Sequence, residues 1–500
     1  YLSMILFNAN VYSHDEADTV IIKNGVIEYV GRYENVAGKL PSLKTIDCQG
    51  RLVIPALTDT HMHLLGLAKT KTWLDLRGTR SIEELKKKIS QAAGSKQWIL
   101  GRGWDQELFE EKRLPNRWDL DEAAKEKPAI IVRVCGHLAV LNTKALKLTG
   151  LLDNIPPNLA GYVEVEDGKP TGVIVEDAVD YVFKHVPEPA KEELKNAMRK
   201  VLEEAASYGL AELHAMSATA AEIEIYEEIS KPWLPQAFFY ATLEDAPTLK
   251  SSRVIGVKVF MDGSFGARTA WLRQPYSDDP STKGKKLLDH KKLAAIAGSA
   301  AKQGLQVAVH AIGDAAVEEA IKTVEREGLR NLRIEHASLT PPDLIERLSQ
   351  NKIPVSVQPH FIITDWWIVQ RLGAERARWV YAYKSLIEAG ITIGASSDAP
   401  VEPLNPWKGV YAAIDRGRNE GLPIFKASPN EALKPEEALN LYLGGPMLRN
   451  SQPRRISEGQ KADLVIVDAF DVKSIAKTTH VAATIISGRI AYKSAYINIE

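Results

Sequence analysis

Leu52-Val53-Ile54-Pro55-Ala56-Leu57-Thr58-Asp59-Thr60-His61-Met62-His63 is an apolar run that ends in two histidines one residue apart. The stretch from Leu52 to Leu57 reads as a buried strand. On an extended segment alternate side chains point the same way, so His61 and His63 can grip one metal ion. With 11 His in 500 residues, chance supplies roughly a quarter of one such pair, so the frame gains meaning only from what accompanies it.

Four further apolar runs carry a residue of ligand type at or near their ends. Gly256 to Asp262 holds Lys258 inside an otherwise strand-like run, Gln306 to His310 and Leu332 to His336 each end in histidine, and Ile391 to Asp398 ends in aspartate. Ligands spread over several hundred residues can share a site only if the strand ends meet in space. Three more runs, Leu210 to Met216, Gln236 to Ala241 and Pro354 to His360, bring the strands to eight, and amphipathic stretches such as Ala315 to Glu327 and Pro341 to Asn351 lie between them. The expected fold class is therefore α/β, a (β/α)8 TIM barrel with its site at the carboxyl ends of the strands. A lone strand-end histidine is ordinarily a hydrogen-bonded core or loop residue, and a buried lysine ordinarily pairs with a carboxylate. Six such residues on one face are harder to explain that way.

The same segments resemble the amidohydrolase superfamily, and within it the YtcJ-like branch (amidohydrolase family 3) that includes N-substituted formamide deformylase. The resemblance runs through Ile54 to His63, Lys258-Val259-Phe260-Met261-Asp262-Gly263-Ser264, His310-Ala311-Ile312-Gly313-Asp314, Glu335-His336-Ala337 and Gly394 to Val401, and on to Gly459 to Val467. It covers nearly the whole chain and is specific for the branch, not for a substrate.

Composition sets limits. Hydrophobic residues make up 45% of the chain, enough for a large core, and a net charge of −1 supplies no basic field for nucleic acid or anionic lipid. The two cysteines, Cys48 and Cys135, cannot form a disulfide framework and favour a reducing cytoplasm. The start, Tyr1 to Asn10, lacks a charged leader and a cleavage site, and no apolar run approaches about 18 residues, so neither a signal peptide nor a membrane span is expected. The expected partners are a small-molecule amide substrate and, in a homodimer, a second copy of the chain.

Three parts are expected. Residues 1–52 and 451–500 hold short alternating strands, with Asn24-Gly25 as a hairpin mark, and should pair into one composite β-sandwich. Residues 53–63 and 207–450 form the barrel. The stretch 64–206 is far longer than an ordinary barrel connection and reads as an inserted subdomain or lid. Within it Trp104, Asp105 and His137 are candidates to shape a substrate pocket, with Trp104 packing in the insert's own core and Asp105 capping a turn as the ordinary alternatives.

One catalytic divalent ion needs about three protein ligands and an open position, so six candidates suffice for two ions. The resemblance implies a binuclear centre with His61, His63 and Asp398 on one ion, His310 and His336 on the other, and Lys258 bridging as a carbamate made from carbon dioxide. A protonated lysine has no lone pair to give. Zinc is the expected metal, with manganese, iron or cobalt equally compatible with such ligands. Water ionised at the metal would attack, Asp398 would move its proton, and His137 or His360 would steady the oxyanion. His214, His360 and Arg268 join Trp104 and Asp105 as expected substrate contacts. The expected function is hydrolysis of a carbon–nitrogen bond outside peptides, in an N-acyl or N-formyl amide. Esterase or lactonase activity and heterocycle deamination are the rivals on the same fold, and a non-catalytic scaffold is the rival of another class. Gly313 stands where deaminases of this superfamily usually carry a glutamate, which counts against deamination.

Overall fold

The run that ends in His61 and His63 folds as two strands, not one. Leu52–Pro55 pairs with Leu464–Val467 and Asn10–Val11, whereas Leu57–Met62 belongs to a separate eight-stranded sheet. The break falls where proline offers no N–H to a ladder; the Ala56 N–H donates instead to the Asp463 carbonyl at 2.9 Å. The barrel thus begins at Leu57, later than the sequence reading placed it. This computed structural model describes residues 3–39, 42–94, 96–134, 136–445 and 453–498. Cys135 and the expected domain boundary at 450 lie outside the described residues.

The barrel strands are β1 (Leu57–Met62), β2 (Leu210–Ala218), β3 (Gln236–Ala241), β4 (Val254–Phe260), β5 (Gln306–Ala311), β6 (Leu332–His336), β7 (Val355–Val357) and β8 (Ile393–Ala395). Each pairs in parallel with the next. Closure between β8 and β1 comes from Asp398 N–H donating to the His61 carbonyl and His63 N–H donating to the Ala399 carbonyl, both at 2.8 Å. Helices fill the connections as the sequence period predicts. After β5, Asp314–Glu327 buries Ala316, Val317, Ala320, Ile321 and Val324 on one stripe and ends at Gly328, whose φ of 65° is left-handed. After β6, Pro342–Gln350 buries Leu344, Ile345 and Leu348.

Both chain ends contribute to the β-sandwich. One sheet orders Val26–Gly31, Thr19–Lys23, Met4–Phe7 and Lys44–Asp47; the other orders Asn10–Val11, Leu52–Pro55, Leu464–Val467, Val481–Ile486 and Arg489–Lys493. Their inner faces share one core that includes Leu6, Val20, Ile22, Ile46, Leu464, Ile466 and Ile485. At the first hairpin Asn24 and Gly25 take φ of 52° and 79°, the left-handed pair that a tight two-residue turn requires.

Residues 67–197 form a compact unit of their own, and residues 1–66 with 198–500 form the other. The smaller unit has a six-stranded mixed sheet ordered Val163–Glu166, Lys169–Val175, Leu138–Leu141, Ala129–Arg133, Ile99–Trp104 and Leu74–Asp75. Alternate residues of Ala129–Arg133 feed two cores: Ile131 packs with Leu85, Ile89 and Trp104, while Ile130 and Val132 pack with Leu146, Leu151 and Val182. Both faces are therefore covered. Among the described residues no helix is long and apolar enough to cross a membrane.

Candidate metal centre

At the carboxyl end of the barrel strands, His61, His336 and Asp398 bring ligand atoms within 4.8 Å of one another, all three residues buried. The Asp398 Oδ1 lies 3.2 Å from His61 Nε2 and 3.0 Å from His63 Nε2. The ring centre of His336 is 4.9 Å from that of His61 and 4.5 Å from that of His310. Five of the six expected ligands thus form one contiguous group. The grouping cuts across the expected division, because His336 stands against His61 as well as against His310.

The backbone holds two of these residues in an uncommon state. His336 has φ of 80° and Asp398 has φ of 55°, the left-handed region that non-glycine residues enter at a cost of roughly 1–2 kcal/mol. Hydrogen bonds pin both places: Ala337 N–H donates to the Ala311 carbonyl at 2.9 Å, and Asp398 N–H to the His61 carbonyl at 2.8 Å.

Each central imidazole has a nitrogen engaged by a protein acceptor away from the cluster, and His61 Nε2 faces Asp398 as well. His61 Nδ1 lies 2.9 Å from Glu335 Oε1, His336 Nδ1 lies 2.5 Å from Gln358 Oε1, and His310 Nε2 lies 2.8 Å from the Gly263 carbonyl. A neutral imidazole that donates from one nitrogen presents a lone pair on the other. Two such nitrogens and a carboxylate are the donor set of a three-ligand divalent site with an open position, so these residues fit a metal.

Burial opposes ionisation of Asp398, yet His61 and His63 hold its carboxyl well below the usual range. Burial would also lower His61, but Asp398 and Glu335 raise it. Burial, with His61 beside it, pushes His336 down to about 3, and burial with His336 beside it lowers His310 well below the usual imidazole value. Lys258 is 4% exposed. Its amine has no hydrogen-bond or ion-pair partner among the described residues and lies 4.2 Å from the Phe260 ring centre. Burial lowers that amine to about 8 despite Glu335 and Asp398. Asp262, pushed up to about 7 by burial, accepts from the backbone N–H groups of Trp271, Ile312 and Gly313 and ties the loops after β4 and β5 together.

The residues expected to contact substrate have partners of their own. Trp104 is fully buried and stacks on Phe109 in the core of the 67–197 unit. Asp105 caps the turn at Gln106–Leu108 and pairs with Arg133. Arg268 makes two hydrogen bonds to Asp278, at 3.1 and 2.8 Å. His214 lies within β2, and both its nitrogens are engaged inside the barrel, by Glu212 and Arg333. His360, after β7, is held by Glu402 at 2.5 Å through Nδ1. His137 lies in the turn between Ala129–Arg133 and Leu138–Leu141, with a 67% exposed side chain and Nδ1 3.3 Å from Glu176.

Sequence reasoning missed Glu335, Gln358, Glu402, Asp59 and Ser397. Asp59, raised to about 6 by burial, accepts from Ser397 N–H and Oγ and braces β1 against the Asp398 turn. The signal for Glu335 was available: Arg333 and Glu335 are charged residues at alternate positions of an apolar strand, a pattern that aims both into the barrel.

A protein-family model described as the amidohydrolase family matches residues 44–492. YtcJ of Bacillus subtilis is 29% identical over 96% of this chain and 96% of its own. N-substituted formamide deformylase of Arthrobacter pascens is 23% identical over 93% of each chain. The crystal structure of an uncharacterized metal-dependent hydrolase from Pyrococcus horikoshii superposes with a TM-score of 0.79 at 33% identity, over 96% of this chain and 99% of that one.

Proposed function

The chain belongs to the amidohydrolase family, and from that premise we propose that it is a metal-dependent hydrolase of carbon–nitrogen bonds outside peptides, acting on an N-acyl or N-formyl amide. The observation that carries this reading is the buried group of His61, His336 and Asp398 at the carboxyl end of the barrel, with the partnerless Lys258 amine nearby in charge terms. His61, His63, His310, His336 and Asp398 would together hold the metal, with Lys258 as the bridging residue. A divalent ion supplies Lewis acidity there, lowering the pKa of water from 15.7 towards about 7 and polarising a carbonyl.

The bridge needs an anion. A neutral lysine amine adds carbon dioxide to give a carbamate and one released proton, and an amine lowered to about 8 is substantially neutral at mildly alkaline pH. Asp398 is the proton carrier in this reading. Both histidine contacts use its Oδ1, so Oδ2 is left to take a proton from the attacking water and deliver it to the departing nitrogen. His360, oriented through Nδ1 by Glu402, is the group proposed to touch the carbonyl oxygen.

The test is hydrolysis of N-formyl and N-acyl amides beside matched esters, before and after chelator treatment. Amide turnover that a chelator abolishes and a divalent metal restores supports the proposal. Turnover of esters alone, or amide turnover indifferent to chelation, overturns it.

A further inference from the structure

Arg333 and Glu335 sit at alternate positions of β6, and neither exposes any surface. Burying an ion pair in a barrel is costly, and apolar residues of similar volume commonly serve stability as well or better. What these two residues do with their atoms shows why they are there. Arg333 Nε donates to Glu335 Oε2 at 2.8 Å and Nη2 donates to Oε1 at 2.7 Å. The second Nη2 proton goes to the Thr60 carbonyl. The two Nη1 protons go to His214 Nδ1 and the Tyr240 hydroxyl, each at 3.1 Å. All five guanidinium donors are employed.

Directions follow because a guanidinium only donates. His214 accepts at Nδ1, so its proton is on Nε2 and donates to Glu212 Oε1 at 2.8 Å. Glu212 is held in turn by Arg454 at 2.7 Å. Tyr240 accepts from Arg333 and donates to Gln306 at 2.7 Å. One contact leaves this closed set towards the site: Glu335 Oε1, an acceptor, 2.9 Å from His61 Nδ1. His61 therefore carries a proton on Nδ1, and the nitrogen turned to the site is Nε2, 3.2 Å from Asp398 Oδ1.

We infer that Arg333 and Glu335 act as a tautomer lock on His61, a positioning pair that fixes the ring and frees Nε2 as a ligand, with Arg333 holding the backbone carbonyl just before His61 as well. The inference rests on the metal-site reading above. Neither residue touches substrate; both act through His61.

The experiment measures zinc affinity of the full-length apoprotein by competition with a chromogenic chelator, together with the thermal midpoint. Glu335→Gln removes the anionic acceptor, and Arg333→Met/Glu335→Leu removes both charges so that no buried ion is left unpaired if the single variant fails to fold. Zinc affinity should fall by roughly 10- to 100-fold in the folded variants, while the double variant melts within a few degrees of wild type or above it. A histidine 15N spectrum of the zinc-loaded protein should show His61 protonated at Nδ1 and bound through Nε2 in wild type, and a mixture of the two binding nitrogens in the double variant. Zinc bound as tightly by the double variant as by wild type overturns the lock and leaves the metal site standing. Wild-type protein that binds no zinc overturns both.

Discussion

His61 is the last residue but one of β1 and His336 ends β6, yet their ring centres are 4.9 Å apart and each ring has its Nδ1 held by a side-chain oxygen. Two ligands of one centre act as a unit. His61→Ala and His336→Ala should each remove nearly all activity, and the double variant should be no worse than either single one. The check is kcat/KM for the three variants; two partial losses that simply multiply would contradict a shared centre.

In the proposed reaction Asp398 carries a proton as well as holding metal. Asp398→Asn keeps the shape but cannot take a proton, so kcat should fall by about 10²–10⁴-fold even at zinc concentrations that restore full metal loading. A kcat that recovers with loading would limit Asp398 to holding metal.

Lys258 should link activity to carbon dioxide. Protein exposed to mild acid and returned to carbon dioxide-free buffer should regain activity slowly, and bicarbonate should speed the recovery several-fold. Lys258→Ala should not respond to bicarbonate. Recovery at the same rate with and without bicarbonate would contradict the bridge.

Glu212 predicts a pH dependence of stability. Burial opposes its charge, but Arg454 and His214 bring its carboxyl down to about 2. A carboxyl near 4.5 when unfolded binds its proton sooner than the folded one as pH falls. The stabilisation, about 3 kcal/mol at ~1.36 kcal/mol per pKa unit, is therefore full above pH 4.5 and is lost as pH falls towards 2. Denaturation curves of wild type and Glu212→Gln should differ most at neutral pH and converge in acid. A difference that stays constant down to pH 3 would contradict this assignment.

Trp104 belongs to the core of the 67–197 unit, so Trp104→Ala should cost about 3–5 kcal/mol there. Hydrogen exchange should quicken across Leu74–Asp75, Ile99–Trp104 and Ala129–Arg133 and remain unchanged in the sandwich. Unchanged exchange with a raised KM would make Trp104 a substrate contact instead.

The barrel was legible because eight apolar runs alternate with helical stripes, and because His61, His63, His310, His336 and Asp398 all fall where strands run out. The join between sandwich and barrel was not: Leu52 to Leu57 is uniformly apolar, and one such run can serve two sheets when a proline stops the first. The ligand types were legible for the same reason that the second layer was not. Histidines at strand ends are rare enough to notice, whereas Glu335, Gln358 and Glu402 are common polar residues whose value lies in which nitrogen they hold. Arg268 and His214 looked available because charge and imidazole invite a ligand. Their partners, Asp278 and Arg333, arrive from the same loop and from a strand far along the chain, and only the folded chain shows them engaged.

A barrel that holds catalytic metal on His61, His63, His310, His336 and Asp398 beside a modified Lys258 has a metal content that can be counted. Elemental analysis of wild type, His336→Ala and Lys258→Ala, all prepared without chelator, tests it most directly. The account predicts about two divalent ions per wild-type chain, with a clear loss in both variants. Wild-type protein that hydrolyses an amide without stoichiometric metal, or metal content untouched by His336→Ala, would contradict it.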